Sequence, residues 1–445
     1  MTIKVGCISL GCSKNLIDSE IMLGMIDDNG HEITTDLQNA DVIIVNTCAF
    51  IGDAKEEAID AILNAAIYKR TGKLKALIVA GCLAQRYKEE IINEIPEVDA
   101  VIGTGSISEI QNVIDEHVVG SKQKRLYVND PTDINYLDNV RMLSQSGASQ
   151  YIKIAEGCSN FCTYCIIPSL RGPFRSRTLE SIVEEANKLV SAGAREIIVI
   201  AQDVSKYGMD IYSECKLVDL IKQLSDIEEL KWIRLLYCYP EGITDELINE
   251  LKNNPKLLKY LDIPIQHASD KILKAMGRKT DRQKLEALIS KLRLEIPDII
   301  LRTTLITGFP GESEKDFEIL KEFIKVNKFD RLGVFAYSQE EGTPAAKMKN
   351  QIKESIKEQR KEEILLIQKE AVVPLIESRL SKTYEVVVEG VADDGIFYYG
   401  RSYAESPEID PVIYFTSKEP LSFGDFVSVK ILNIAQMDLI GDVII

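Results

Sequence analysis

Most of this chain alternates between short apolar runs of strand length and longer stretches whose apolar residues recur every three or four positions. In the first 118 residues the runs are "IKVGCISL" (3–10), "DVIIVNTC" (41–48) and "KALIVAGC" (75–82). Between them "SKNLIDSEIMLGMIDDNG" (13–30) and "DAKEEAIDAILNAAIYK" (53–69) have helical spacing, with Gly30 placed to end the first helix and Asp53 to cap the second. Strand–helix repetition predicts an N-terminal parallel βα domain over 1–118. Residues 119–143 are polar and aperiodic and read as a linker, with one strand at "RLYV" (125–128).

The alternation resumes over 144–375 with six strand candidates: "YIKIAEG", "EIIVIAQD", "WIRLLYCY", "YLDIPIQH", "ILRTTLITG" and "RLGVFAYS". Six βα units predict a partial barrel, two units short of a full (β/α)8 barrel, with its site at the carboxyl ends of the strands. Those ends carry Gln202, Asp203, Glu241, Gln266, His267, Thr307, Tyr337 and Ser338. "AAKMKNQIKESIKEQRKEEILLIQKE" (345–370) then predicts a long amphipathic helix with Ile352, Ile356, Ile364 and Ile367 inward and its charges in solvent. Over 376–445 the period changes to strands broken by turns every 8 to 15 residues, a small all-β barrel. The fold class is α/β with this barrel appended.

Hydrophobic residues at 45% and charged residues at 27% describe an ordinary globular chain of 445 residues. No apolar run approaches the ~18–20 residues of a membrane span. The first residues enter strand-like alternation directly, without a basic leader, so a cytoplasmic location is expected. Nine cysteines in a reducing compartment suggest ligands or buried thiols rather than disulfides.

Three cysteines are concentrated in "EGCSNFCTYCIIPSLRGPFRSR" (156–177): Cys158, Cys162 and Cys165. A closed zinc site needs a fourth ligand, and none of the three histidines lies near. A 4Fe–4S cluster held by three thiolates leaves one iron open to a substrate or cofactor, which suits a loop at a strand end. The C-x3-C-x2-C spacing, with Tyr164 before the last cysteine, resembles the radical S-adenosylmethionine family. Cys12, Cys48 and Cys82 share no local motif, but each ends a predicted strand. Such ends share one edge of a parallel sheet, so the three can meet at a metal centre; the alternative is buried thiols. Cys7, Cys215 and Cys238 show no such arrangement and read as buried small side chains.

"SLGCSKNLIDSE", "VNTCAFI", "GCLAQRY", the cysteine loop, "IPIQHASDKILKAMGR", "LRTTLITGFPGE" and "FAYSQEEGTPAA" together resemble the methylthiotransferases over essentially the whole chain. The C-terminal barrel looks like a TRAM domain. The resemblance implies two 4Fe–4S clusters, an auxiliary one on Cys12, Cys48 and Cys82 and a radical-generating one on Cys158, Cys162 and Cys165. It also implies S-adenosylmethionine as both radical source and methyl donor, an electron donor such as flavodoxin or ferredoxin, and a sulfur donor. Replacing an unactivated C–H bond by C–S is beyond any side-chain base, so no catalytic acid or base is assigned.

The family has a tRNA-modifying branch and a branch that modifies the β-carbon of an aspartate in small-subunit ribosomal protein twelve. Several words here, "IPIQHASD" among them, look like the second. Residues 381–445 hold eleven acids against four bases, a net −7 within a chain of net −16. That sign suits a basic ribosomal protein better than RNA, so direct nucleic-acid binding is not expected to dominate. The tRNA reading stays open, as does a non-catalytic iron–sulfur redox sensor. Tyr164, Gln202, Asp203, Gly308 and Gly311 are candidates at the cofactor, the two glycines in the "TGFPGE" turn. Arg171, Arg175 and Arg177 are candidates to meet a carboxylate of substrate or cofactor, against a plain surface basic run. His267 reads as structural as readily as functional.

Overall fold

The computed structural model describes residues 2–118, 125–132, 134–144 and 147–444. They form two compact units whose composition cuts across the sequence divisions. The first contains residues 1–145, 153–177 and 338–346; the second contains 146–152, 178–337 and 347–445.

In the first unit, strands β1 (Lys4–Ser9), β2 (Glu32–Ile33), β3 (Val42–Thr47), β4 (Ala76–Gly81), β5 (Ala100–Ile102) and β6 (Arg125–Tyr127) make a parallel sheet in the order β2-β1-β3-β4-β5-β6. β3, β4 and β5 are buried throughout, as expected of unbroken apolar runs covered on both faces. The first helix runs Ser13–Asp28 and Gly30 follows its end, whereas Asp53 lies inside the first turn of helix Gly52–Ala66 rather than capping it.

The stretch read as a linker, part of which lies outside the described residues, is built into this unit. β6 extends the sheet, Tyr136 and Leu137 are buried, and Arg141 pairs with buried Glu20 at 2.6 Å. Single anchoring side chains hold it down, and they leave no periodic trace.

The second unit contains strands β7 (Ser149–Lys153, except its last residue), β10 (Glu196–Ile200), β11 (Trp232–Leu235), β12 (Leu257–Gln266), β13 (Ile300–Thr307) and β14 (Arg331–Ala336); β8 (Ala155–Glu156) and β9 (Arg175–Ser176) belong to the first. The sheet order is β14-β13-β12-β11-β10-β7, matching the six strand candidates one for one. Helices Leu179–Ser191, Asp245–Asn253, Arg282–Glu295 and Glu314–Asn327 connect its strands and begin at Thr178, Thr244, Asp281 and Ser313, whose side chains each accept a first-turn N–H. Each such cap stabilises by about 1 kcal/mol.

The long helix runs Glu354–Glu377, and its buried stripe differs from the one expected. Lys357, Arg360, Ile364, Gln368, Val372 and Ile376 face inward, whereas Ile356 is exposed and Ile352 precedes the helix. The inward polar groups are satisfied. Lys357 donates to Tyr337 O at 2.8 Å, Arg360 to Glu312 Oε1 at 2.8 Å and Gln368 to Phe329 O at 2.8 Å. Burial here follows available partners rather than hydrophobicity.

Strands β15 (Thr383–Val391), β16 (Tyr398–Arg401), β17 (Ile413–Thr416), β18 (Phe426–Ala435) and β19 (Asp438–Val443) close into a barrel in the order β15-β16-β17-β19-β18. Its core of Val386, Val388, Ile413, Phe415, Val429, Ile431 and Leu439 is plugged by Val372 and Ile376 of the long helix. Closure leaves no free strand edge.

The barrel meets the amino ends of the parallel strands. Arg401 pairs with Glu196 at 2.8 Å, Glu196 with Arg234 at 2.7 Å, Glu405 with Arg331 at 3.3 Å and with Arg379, and Tyr260 donates to Asp410 at 2.7 Å. Three of the eleven acids, Glu389, Glu405 and Asp410, are therefore engaged with arginines or Tyr260 rather than facing a partner. Among the described residues no helix is long and apolar enough to cross a membrane.

Candidate metal and cofactor site

The first unit brings both cysteine triples together, because the loop carrying Cys158, Cys162 and Cys165 belongs to it. Cys12 follows β1 and sits at the N-cap of helix Ser13–Asp28, Cys48 follows β3, and Cys82 follows β4 and opens helix Cys82–Tyr87. Crowding at this edge requires glycine before Cys12. Gly11 has φ +89°, and a Cβ there would stand 2.7 Å from Cys48 Cβ.

Asn15 is the hub of the triple. Its Nδ2 donates to Leu10 O at 3.0 Å and to Thr47 O at 2.9 Å, the carbonyls just before Gly11-Cys12 and Cys48. Its Oδ1 lies 3.9 Å from Cys82 Sγ. Cys12 is exposed, Cys48 half-buried and Cys82 buried. Burial pushes the Cys82 thiol up to about 12, with Arg171 opposing and the neighbouring Cys12 and Cys48 adding to the rise.

The second triple is held in a loop closed at its base by β8 and β9, which pair antiparallel through Glu156 and Arg175. Cys158 N donates to Gly172 O at 3.1 Å and Cys165 N to Cys162 O at 3.0 Å. Gly157, at φ +77°, passes so near Pro173 that a Cβ would lie 2.1 Å from its carbonyl oxygen. The loop exits through Ile166 and Leu170, which share one apolar cluster with Cys82, Leu83, Ala49 and Ile62. Thr104 Oγ1 donates to Leu170 O at 2.5 Å and Ala345 N to Thr163 O at 2.8 Å. Burial pushes the Cys165 thiol up to about 12, reinforced by Cys162 and Cys158. Phe161, between the first two cysteines, is 68% exposed with φ +52°.

A buried ion network runs between the triples. Arg171 NH1 donates to Glu156 Oε2 at 2.7 Å, and NH2 donates to Asn15 Oδ1 at 2.5 Å and Asp18 Oδ2 at 3.0 Å. Lys153 pairs with Glu156 at 2.8 Å and with Asp18, and the Tyr136 hydroxyl lies within 3.2 Å of both carboxylates. Burial pushes the Glu156 carboxyl up, but Arg171 and Lys153 override it and hold it well below the usual range.

The arginines expected at a substrate carboxylate therefore have other partners. Arg171 is fully buried on the protein's own acids. Arg175 donates to Pro131 O and to Arg171 O (2.6 Å), and Arg177 to Lys153 O (3.2 Å) and Asp138. Asn15, Asp18, Lys153, Glu156 and Tyr136 went unread as site residues. Their signal was charge inside the buried strand segment "YIKIAEG" and an asparagine three residues after Cys12.

In the second unit Gln202 and Asp203 follow β10. Asp203 is fully buried and accepts from Ser205 N and Oγ, so its carboxylate caps its own turn. In the "TGFPGE" turn Glu312 accepts from Gly308 N at 2.7 Å and Phe309 N at 3.2 Å, which fixes the shape of the turn. Gly311 N donates to Asn350 O at 3.0 Å. His267 is fully buried; its Nδ1 accepts from Ser269 N at 2.9 Å, while its Nε2 has no hydrogen bond and lies 3.6 Å from Glu312 Oε2. Tyr237, two residues past β11, and Gln266, the last residue of β12, have φ +64° and +71°, backbone strain of the kind found at functional sites. Cys238 is buried as expected and Cys7 partly so, whereas Cys215 is exposed.

Two sulfur-only sets of three, one at three strand ends and one in a single loop, have the donor chemistry of iron–sulfur clusters. Among the described residues no group of three or more His, Cys, Asp or Glu closes to the spacing of a single metal ion. A cubane binds each thiolate to a different iron and spreads them wider.

A six-strand parallel sheet with a three-cysteine loop defines a radical S-adenosylmethionine protein, and residues 152–324 match the Radical SAM superfamily. That superfamily implies S-adenosylmethionine and a 4Fe–4S cluster. Residues 4–103 match Uncharacterized protein family UPF0004 and residues 381–444 the TRAM domain. The chain belongs to the ribosomal protein uS12 methylthiotransferase (RimO) family. It is 57% identical to the member from Acetivibrio thermocellus (99% of this chain, 98% of that protein) and 52% identical to the one from Lachnoclostridium phytofermentans (98% and 99%). Among solved structures it resembles the radical S-adenosylmethionine methyltransferase TsrM from Kitasatospora setae, with TM-score 0.55, 13% identity and coverage of 78% of this chain and 74% of that one. The cobalamin-dependent radical enzyme OxsB gives TM-score 0.54 at 12% identity over 83% and 56%. At these identities the likeness is one of fold.

Proposed function

We propose that this chain transfers a methylthio group to the β-carbon of an aspartate in ribosomal protein uS12, with Cys158, Cys162 and Cys165 holding one 4Fe–4S cluster and Cys12, Cys48 and Cys82 a second. The observation that carries this reading is the placement of two thiol triples in one compact unit of a chain 57% identical to a uS12 methylthiotransferase. When bound, the clusters and S-adenosylmethionine supply the one-electron chemistry, the methyl group and the transferable sulfur that no side chain carries.

The chain's own residues gather and shelter these groups. Asn15 and Gly11 hold three strand ends together, Gly157 and the β8–β9 base shape the second loop, and Arg171 places positive charge beside the first ligand set. Glu340, in the segment "SQEEGTPAA", pairs with Lys55 at 2.9 Å and with Arg86 at 2.6 Å, and so pins that segment to the helices that follow Cys48 and Cys82. Tyr164, Gln202 and the turn at Gly308 and Gly311 remain the proposed cofactor contacts. An external one-electron donor such as flavodoxin or ferredoxin and a sulfur donor complete the balance.

The barrel's outer face keeps Glu385, Asp393, Asp394, Glu419, Asp425 and Asp442 exposed. This charge suits a basic protein, since ribosomal proteins must themselves neutralise RNA phosphate. The test is mass spectrometry of uS12 and of bulk tRNA after incubation with the anaerobically reconstituted chain, S-adenosylmethionine, sulfide and reductant. A methylthio mass increment on one uS12 aspartate is expected. Thiomethylated adenosine in tRNA with unmodified uS12 would overturn the assignment.

A further inference from the structure

Beyond the cysteines themselves, we propose that Asn15 and Arg171 are positioning residues for the two clusters: Asn15 sets the spacing of Cys12, Cys48 and Cys82, and Arg171 bolts the loop of Cys158, Cys162 and Cys165 to that hub. This rests on the reading that Cys12, Cys48 and Cys82 hold a cluster.

The geometry assigns these roles separately. One amide reaches the backbone before Cys12, the backbone before Cys48 and the side chain of Cys82. Hydrogen bonds from an amide to carbonyls have direction as well as distance, so they fix where each strand end points. Arg171 then joins Asn15 and Asp18, on the helix after Cys12, to Glu156, two residues before Cys158. Only a planar fork reaches three acceptors on two elements in this way; a lysine ammonium cannot reproduce it.

Stability alone is a weak reason to bury such a group. Replacing a buried ion pair by apolar residues of similar volume is often neutral or favourable, whereas one fixed arrangement of charges is a recognised use. Arg171 and Lys153 are balanced by Asp18 and Glu156 before any thiolate is counted, so the thiolates of Cys12, Cys48 and Cys82 add negative charge that Arg171 faces. The consequence is electrostatic. A cation held in a low-dielectric site favours the more negative, reduced form of an adjacent cluster.

The experiment uses the full chain in four forms, each with Cys158, Cys162 and Cys165 replaced by alanine so that only the first site can load: with no further change, with Asn15→Leu, with Arg171→Gln, and with Arg171→Lys. The readouts are iron per chain, the midpoint potential by redox titration followed by electron paramagnetic resonance, and hydrogen exchange of residues 157–174 in the apoprotein. Asn15→Leu should lose half or more of the first-site iron with circular dichroism unchanged. Arg171→Gln should retain iron, lower the potential, and speed exchange of the loop roughly tenfold or more, the effect of losing a charged hydrogen-bond anchor. Arg171→Lys should hold the potential near the parent's but still loosen the loop. Full iron in Asn15→Leu, or an unshifted potential and unchanged exchange in Arg171→Gln, overturns the proposal. If the parent itself binds no iron, the cluster reading fails instead, and the apoprotein exchange alone decides whether Arg171 anchors the loop.

Discussion

Two buried arginine networks can be compared directly. One surrounds Arg171 in the first unit, and the other surrounds Arg401, Arg234, Arg331 and Arg379 where the barrel meets the parallel strands. In the second, acid and base answer each other: Arg401 binds Glu196 and Glu389, Arg234 binds Glu196 and the Ser402 and Tyr403 carbonyls, and Glu405 receives Arg331, Arg379 and Ser402. That network is answered by the protein's own carboxylates, carbonyls and hydroxyl, with only Arg331 Nε and Arg379 Nε left without a hydrogen bond among the described residues. Around Arg171 the same chemistry borders three thiols, one of them exposed. A buried arginine points to function where ligand-type groups such as thiols lie beside it, and the two networks show both cases in one chain.

The largest way to break this contrast is at the cysteines. Replacing Cys158, Cys162 and Cys165 with alanine should remove about half of the reconstituted iron and all cleavage of S-adenosylmethionine, read by iron assay and by release of 5′-deoxyadenosine. Replacing Cys12, Cys48 and Cys82 should remove the other half and all sulfur transfer. Because the triples share one unit, some loosening of the second loop should accompany it, visible as slower cofactor cleavage.

The second network should fail differently. Glu405→Ala leaves Arg379 buried without a carboxylate and Arg331 with only Asp410 at 3.7 Å, and should destabilise the barrel by about 3–5 kcal/mol while leaving iron content unchanged. The single tryptophan, Trp232, packs edge-on against barrel residue Phe426 at 4.8 Å, so its fluorescence in urea reports barrel docking. Unaltered fluorescence midpoints would show that the pair holds nothing.

Acid should separate the two regions next. Burial pushes Glu196 and Glu405 up, but arginines prevail and hold both at about 2, below the ordinary 4.5. Because the folded value lies below the ordinary one, these carboxylates add stability above about pH 4.5 and lose it as pH falls toward about 2. The Trp232 signal should therefore weaken within that window, and Glu405→Gln should flatten the dependence. The smallest effect belongs to the exposed pair Lys231–Glu385, 3.3 Å apart, where Lys231→Ala should cost about 1 kcal/mol or less and should do so only at low salt.

Periodicity alone placed the six strands of the central sheet, the three strand-end cysteines and the late switch to a small barrel, because β-branched runs and turn spacing are local properties of the chain. The cysteine loop was equally legible, since three thiols in eight residues carry their chemistry in their spacing. Tertiary structure decided the rest. It drew the cysteine loop and the supposed linker into the first unit through isolated anchors such as Ile166, Leu170, Tyr136 and Arg141. It turned Lys357, Arg360 and Gln368 inward on a helix whose pattern put isoleucines there, and it spent Arg171, Asp203 and Glu312 on partners distant or adjacent in the chain. A hydrophobic pattern records how much of an element is buried. Which acceptor meets a buried charge depends on what the folded chain brings within 3 Å of it, and Asn15, set beside all three cysteines by strands some thirty-five residues apart, is a contact that only the closed sheet makes.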